Sequence, residues 1–225
     1  MTAVLLTTPP VLDGDVLNDS AWQSIQPESS FWQKEPDEGE PASERTEVRV
    51  AYTEDMLYVA AVLFDREPEN IIVSDSRRDA SLDNTDSFRF ILDTYQDNQN
   101  GFVFGTNPAG IEYDAQVTNA GQGMRGGGGF GGGRQRGGSG AGFNINWDGA
   151  WEVYTTMTDS GWSVEFAIPF RTLRFPQSDV QSWGINFQRT IRRRKENSFW
   201  AQLPRQFDLN RVSLAGEITG LRVPD

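Results

Sequence analysis

Trp151-Glu152-Val153-Tyr154-Thr155-Thr156-Met157-Thr158-Asp159-Ser160-Gly161-Trp162-Ser163-Val164-Glu165-Phe166-Ala167-Ile168 decides the fold class of this chain. Residues 151–157 and 162–168 are rich in aromatic and β-branched side chains, which suit a pleated, half-buried surface. Between them stands Thr158-Asp159-Ser160-Gly161, a run of turn-forming chemistry, so the stretch reads as a β-hairpin.

The same reading extends outward. Upstream, Val48, Val50 and Tyr52 alternate with Glu47, Arg49 and Ala51, predicting a half-buried strand over 47–52. After the Glu54-Asp55 turn, Met56–Phe64 is nearly all apolar, as in a central strand covered on both faces. Ser87–Asp93 alternates again, with Phe88, Phe90 and Leu92 on one face. Residues 101–106 and 111–118 flank the turn signal Asn107-Pro108-Ala109-Gly110. Downstream, 183–192 predicts a long strand, 198–202 a partner for it, and 214–221 a closing strand. One short helix is expected over 18–25, capped by Asn18 before Ala21 and Trp22. About ten strands separated by turns imply an all-β, antiparallel β-sandwich, its layers of the jelly-roll or immunoglobulin kind. Residues 121–142 interrupt it: thirteen of these 22 are glycine, with Arg125, Arg134 and Arg136 and no acid, so a flexible surface loop is expected inside one domain spanning 1–225.

Composition narrows the chemistry. A net charge of −12 argues against nucleic acid as the main partner. The charge is uneven: residues 1–100 hold 21 acidic and 7 basic side chains, residues 101–225 hold 11 and 13. The chain contains no histidine and no cysteine, which excludes a Ser-His-Asp triad, a Cys-His pair, histidine zinc sites and disulfides, and leaves the compartment open. The opening Met1–Pro10 has too short an apolar run, and no basic start, for a secretory leader, and no stretch approaches the roughly 20 apolar residues of a membrane helix. Removal of a leader and origin in a longer parent both stay open.

Five motifs in order resemble the family 9 carbohydrate-binding modules. They are Val11-Leu12-Asp13-Gly14-Asp15-Val16-Leu17-Asn18-Asp19-Ser20-Ala21-Trp22, then Val48–Val59 with its acidic turn and Leu57-Tyr58-Val59, then Asp86–Asp93. Gly161-Trp162-Ser163-Val164-Glu165-Phe166-Ala167-Ile168-Pro169 and Trp183-Gly184-Ile185-Asn186-Phe187-Gln188-Arg189 complete the set. Ser76–Asp79, Phe104–Gly110, Leu173–Pro176, Arg192–Arg194 and Gly216–Leu221 look like the N-terminal domain of large bacterial outer-membrane proteins whose C-terminal region is barrel-like. The resemblance implies a periplasmic or cell-surface home, a C-terminal outer-membrane β-barrel as partner in the parent protein, and a role in carbohydrate catabolism.

Sugar sites need flat aromatic faces for the rings and planar polar groups for the hydroxyls. Trp22, Trp162 and Trp183 lie inside strand or helix signatures and read as core. Trp32, Trp147, Trp151 and Trp200 lie beside loops or polar runs and are the stacking candidates. The resembled modules clamp a sugar between two tryptophans with Arg, Asn, Gln and Glu around it, which makes Asn107, Arg189 and Gln202 the polar candidates here. Asp79, Asp83, Asp86 and Asp93 crowd one stretch: they read either as a solvated face with turn-forming aspartates or as a structural calcium site, which the resemblance implies. Asp13, Asp15 and Asp19 form a second, weaker cluster. The basic run Arg192–Lys195, read as strand, divides between two faces. Glu165 belongs to the binding-module signature and reads as structural.

The expectation is a glycan-binding module. The alternative is a non-catalytic structural or interaction domain of a barrel protein; a glycoside hydrolase ranks below both, since no acid/base pair is visible. Haem, known in distant relatives of the fold, is not expected without a histidine.

Overall fold

A computed structural model describes residues 1–74, 76–121 and 142–223; the expected glycine-rich insertion, 121–142, falls almost wholly outside the described residues. The described strands are β1 (Val4–Leu5), β2 (Trp32–Glu35), β3 (Thr46–Tyr52), β4 (Met56–Phe64), β5 (Ser87–Asp93), β6 (Gly101–Thr106) and β7 (Tyr113–Val117). They continue with β8 (Phe143–Asn144), β9 (Glu152–Thr158), β10 (Gly161–Pro169), β11 (Gln181–Ile191), β12 (Glu196–Phe199) and β13 (Gly216–Leu221). One sheet runs β1-β3-β4-β10-β9. The other runs β2-β12-β11-β5-β6-β7-β8, and β13 also pairs with β11. β11 is long enough to hold two partners on one edge: Gln181–Ile185 face β13 and Gln188–Ile191 face β12. Except for the short β1–β3 pair, the ladders are antiparallel. The expected sandwich is therefore the observed one.

Alternation builds the core. Val48, Val50, Val59, Ala61, Val164 and Phe166 face inward from the five-stranded sheet and meet Phe88, Phe90, Phe104, Trp183 and Phe187 from the other. Phe90 meets Phe166 edge-on at 5.0 Å, and Trp151 stacks on Phe166 at 5.7 Å, geometries that add to the area the rings bury. Trp22, Trp162 and Trp183 are all buried, as their signatures imply.

The outer face of the five-stranded sheet is closed by the N-terminal segment. Val16, Trp22 and Ile25 pack on Tyr58, Ala60 and Val62, which explains why β4 is apolar on both faces. Beneath them the fully buried Glu165 carboxylate accepts hydrogen bonds from Gly14 N (2.8 Å), Asp13 N (3.1 Å) and Trp22 Nε1 (2.7 Å). Burial pushes its pKa up, against the pull of those three donors. Gly14 sits at φ +83°, and a Cβ there would lie 2.6 Å from the Thr155 carbonyl carbon, so this close approach admits glycine alone. Asp13-Gly14, Trp22 and Glu165 thus form one lock, and the structural reading of Glu165 holds.

Three local expectations change. The helix is Ser20–Gln23 and its cap is Asp19, not Asn18: Asp19 accepts from Ala21 N and Val11 N, while the Asn18 amide is turned to Asp15. Arg192–Arg194 form a 3-10 turn, not strand, ended by Lys195 at φ +54° and anchored by Asp86, which accepts from Arg192 N. β12 spans Glu196–Phe199 rather than 198–202, and β2, whose Trp-Gln-Lys-Glu lacks an alternating apolar pattern, was not expected at all.

Candidate functional site

The outer face of the eight-stranded sheet bears a cleft of about 500 Å³. A row of residues that crosses this face, four of which line the cleft, follows from register. Trp32 pairs with Phe199, Phe199 with Gln188, Gln188 with Arg89, Arg89 with Gly105, and Gly105 with Tyr113. Cross-strand partners share a face. The six residues, one from each of six adjacent strands, therefore form a single row with aromatic side chains at both ends and an amide and a guanidinium in the middle. At roughly 4.8 Å per strand the row spans about 24 Å. Gly105 is the gap that lets Arg89 lie across the sheet: a Cβ there would stand 2.6 Å from Arg89 Cγ.

A second row, Glu35–Asn197–Thr190–Ser87, runs beside it. Thr190 Oγ1 donates to Asn197 Oδ1 at 2.8 Å, and Asn197 Nδ2 donates to Glu35 at 3.0 Å, so the Asn197 amide is oriented from both ends. Gln188 is held only loosely, with Nε2 at 3.3 Å from Asn197 Oδ1 and 3.4 Å from Thr190 Oγ1. Arg89 Nε is buried without a hydrogen-bond partner among the described residues. Burial raises the pKa of the Tyr113 phenol, and the neighbouring Arg89 guanidinium pulls it back. One wall is the chain after β12: Leu203, Leu209 and Val212 pack on Ile91, Val103 and Phe199, and leave Asp208 and Asn210 at the rim. The cleft thus offers planar donors and acceptors between aromatic surfaces, on strands held rigid by their ladders.

Of the tryptophans expected to stack on a ligand, the structure brings one to this face. Trp32 is half-buried, in register with Phe199, and its neighbour Phe31 points into the core. Trp151 is buried, with its Nε1 donating to Asp114 (3.1 Å), so it packs the interior and presents no face to a ligand. Trp147 leans on Phe102 (5.0 Å) and over Gly149, and Trp200 on Phe187 (5.8 Å) and over Gly216. Both are half-buried and, unlike Trp32, which stands just beyond the cleft lining in register with Phe199, neither is on the row that crosses this face.

The polar candidates scatter likewise. Arg189 is buried between the sheets, donating to the carbonyls of Arg45 (2.9 Å) and Phe64 (2.6 Å) and to Thr46 Oγ1 (3.1 Å). Burial lowers its pKa to about 10, while Asp65, Asp86, Glu196 and Glu44 support its charge. Its donors bind the two sheets together and do not face a ligand. Asn107 is buried and accepts from Ala109 N within its own turn, and Gln202 is exposed outside the cleft. The residues that form the cleft floor, Arg89, Gln188, Thr190 and Asn197, were missed. The signal for them was the polar side chain alternating with core phenylalanines, as in Phe88-Arg89-Phe90 and Phe187-Gln188.

The four aspartates of the metal expectation serve separate local ends. Asp86 anchors the basic turn, and Asp93 accepts from Asp97 N and Asn98 N. Asp79 stands 3.7 Å from Arg78, and the exposed Asp83 is 3.9 Å from Arg89. Among the described residues no group of three acidic side chains is placed to hold a metal ion. Asp13, Asp15 and Asp19 likewise close turns of the N-terminal segment.

A larger hollow, about 670 Å³, lies at one end of the sandwich near Tyr95, Phe170, Phe175 and Val223. Its walls come mostly from the turns after β5 and β10, and it lacks the ordered polar rows of the cleft.

No protein-family model and no curated protein matches the chain. Solved structures do. A family 9 carbohydrate-binding module from Caldicellulosiruptor kristjanssonii in complex with cellotriose superposes with a TM-score of 0.59 at 18% identity, covering 100% of this chain and 95% of that one. Its complex with glucose gives 0.61 at 18% identity, over 100% and 96%. A proposed carbohydrate-binding protein from Bacteroides uniformis gives 0.70 at 11% identity, over 97% of each chain. The chain shares the fold of the family 9 carbohydrate-binding modules along its whole length.

Proposed function

We propose that this chain is a saccharide-binding module and that the cleft on the outer face of the eight-stranded sheet is its site. The observation behind this reading is the row Trp32–Phe199–Gln188–Arg89–Gly105–Tyr113. A pyranose has C–H faces that pack on aromatic rings and a belt of hydroxyls that both donate and accept. The half-buried Trp32 at one end of the row meets the first need, and Gln188 and Arg89 in its centre, with Asn197 of the adjacent row, supply planar groups for the second. The fold is that of proteins solved with glucose and cellotriose bound, which supports a glycan as the ligand class. The sequence resemblance to N-terminal domains of outer-membrane proteins supports work outside the cytoplasm, in gathering glycans for breakdown.

Titration of the chain with a panel of mono- and oligosaccharides by calorimetry tests this. Saturable binding that falls at least tenfold in Gln188→Ala and is unchanged in Trp200→Ala is expected. Absence of binding across the panel would favour an interaction domain of a larger protein instead.

A further inference from the structure

The cleft collects cations that the rest of the protein would neutralise. The chain holds 32 acidic against 20 basic side chains, so acids are in excess. Away from the cleft, half-buried arginines use that excess. Arg193 forks onto Asp65 with two bonds of 2.6 Å, Arg194 pairs with Glu44 at 2.6 Å, and Arg49 pairs with Glu47 at 3.0 Å. The cleft is lined by Lys34, Arg89, Arg192 and Lys195, and none of these has an ion pair that close among the described residues. Among the described residues Lys34 Nζ donates to the Phe207 carbonyl, at 3.1 Å, above the Phe199 ring. Arg192 reaches the neutral Asn84 at 3.4 Å. Arg89 has the exposed Asp83 at 3.9 Å, and its Nε is buried without a hydrogen-bond partner among the described residues.

The basic run Arg192–Lys195 shows the division within one turn: its middle two members are neutralised, its outer two line the cleft. Glu35, Asp83 and Asp208 also line it, but Glu35 is turned to the Asn197 amide and the exposed Asp83 carboxylate stands 3.9 Å from Arg89, beyond hydrogen-bond distance. A partly desolvated guanidinium whose counter-charge is an exposed carboxylate 3.9 Å away is poorly compensated, and a carboxylate or sulfate arriving with the ligand at hydrogen-bond distance improves on it.

Resting on the saccharide reading of this cleft, we infer that its ligand is an acidic saccharide, whose carboxylate or sulfate group sits against Arg89 with Lys34, Arg192 and Lys195 around it. Such an anion takes the bidentate geometry a guanidinium favours, while the neighbouring hydroxyls face Gln188 and Asn197.

Calorimetry of the full chain with tri-galacturonic acid, a sulfated galactan oligosaccharide, cellotriose and inorganic sulfate tests the inference. One of the two acidic oligosaccharides should bind at least tenfold more tightly than cellotriose, and which one does so identifies the anion. The preference should shrink to less than threefold in Arg89→Gln, weaken in Lys195→Gln, and decline between 50 and 500 mM sodium chloride, about the range over which salt screens such contacts. Circular dichroism of each variant checks its fold. Equal or tighter binding of cellotriose, abolished by Gln188→Ala, would overturn the acidic ligand and leave the saccharide site standing. Sulfate alone binding as tightly as the sulfated oligosaccharide would also overturn it. Failure of every saccharide to bind would remove both readings.

Discussion

On the outer face of the five-stranded sheet, Glu165 is sealed under the N-terminal segment and accepts from three N–H groups. On the outer face of the eight-stranded sheet, Gln188 has only two long contacts and Arg89 Nε has none among the described residues. Both sets of polar side chains stand at outward positions of central strands. The first set is satisfied and covered, so its chemistry is structural. The second opens into a cleft with hydrogen-bonding capacity left over, which is how a ligand site differs from a scaffold. Two consequences follow for substitutions: those in the first region should cost stability and spare binding, and those in the second should do the reverse.

Glu165→Gln should show the largest effect. The amide has one acceptor oxygen and turns an NH₂ group toward backbone or indole donors, so a loss of about 3 kcal/mol is expected from buried donors left unpaired. Urea unfolding measures it; a change below about 1 kcal/mol would show that the lock is not what holds the N-terminal segment. Gln188→Ala should weaken saccharide binding about tenfold, or about 1.4 kcal/mol, with unfolding free energy changed by less than about 1 kcal/mol. Comparable losses in both quantities would dissolve the distinction between the two faces. Trp32→Ala should weaken binding by a smaller factor, about fivefold, in keeping with one aromatic contact at the edge of the row. Trp147→Ala, the control, should leave affinity alone and lower the melting temperature.

The smallest expected effect is a pH signature. Glu165 has a folded-state pKa raised above 4.5 by burial, so between 4.5 and the raised value the folded state holds more protons than the unfolded. Its contribution to stability is therefore full below 4.5 and is lost as pH rises through that interval. Asp86, Asp93 and Asp114 shift in the same direction, so the component due to Glu165 is the difference between wild type and Glu165→Gln. The expected difference narrows as pH rises from 4 to 7; a constant difference would mean that Glu165 titrates normally. Asp65 works with the opposite sign. Burial raises its pKa, but the Arg193 fork, the Glu67 N–H and the Arg189 charge together lower it by more, so its stabilisation is lost as pH falls.

What could be read from the sequence follows the same division. Gly14, Trp22 and Glu165 stood out because each meets a demand that few residues can meet: a left-handed backbone against Thr155, an indole donor, a buried acceptor. The hairpins were legible because their turns have fixed chemistry, as in Thr158–Gly161 and Asn107–Gly110. The cleft was not, since it draws one outward residue from each of six strands and register cannot be read before pairing is known. Adjacency to loops also misled: Trp147 and Trp200 settle over Gly149 and Gly216, and the missing side chains of those glycines give the indoles shelter. The basic run lost its strand because Asp86, remote in sequence, captures Arg192 N and turns the chain.

The most direct test is ¹⁵N–¹H NMR of the chain during titration with a saccharide panel of neutral and acidic members. The account expects the leading perturbations at the side-chain amides of Gln188 and Asn197 and at Arg89 Nε–H, with the Trp147 and Trp200 indoles nearly unmoved. Perturbations centred on those two indoles, on the hollow beside Phe175, or on no residue for any member of the panel would contradict it.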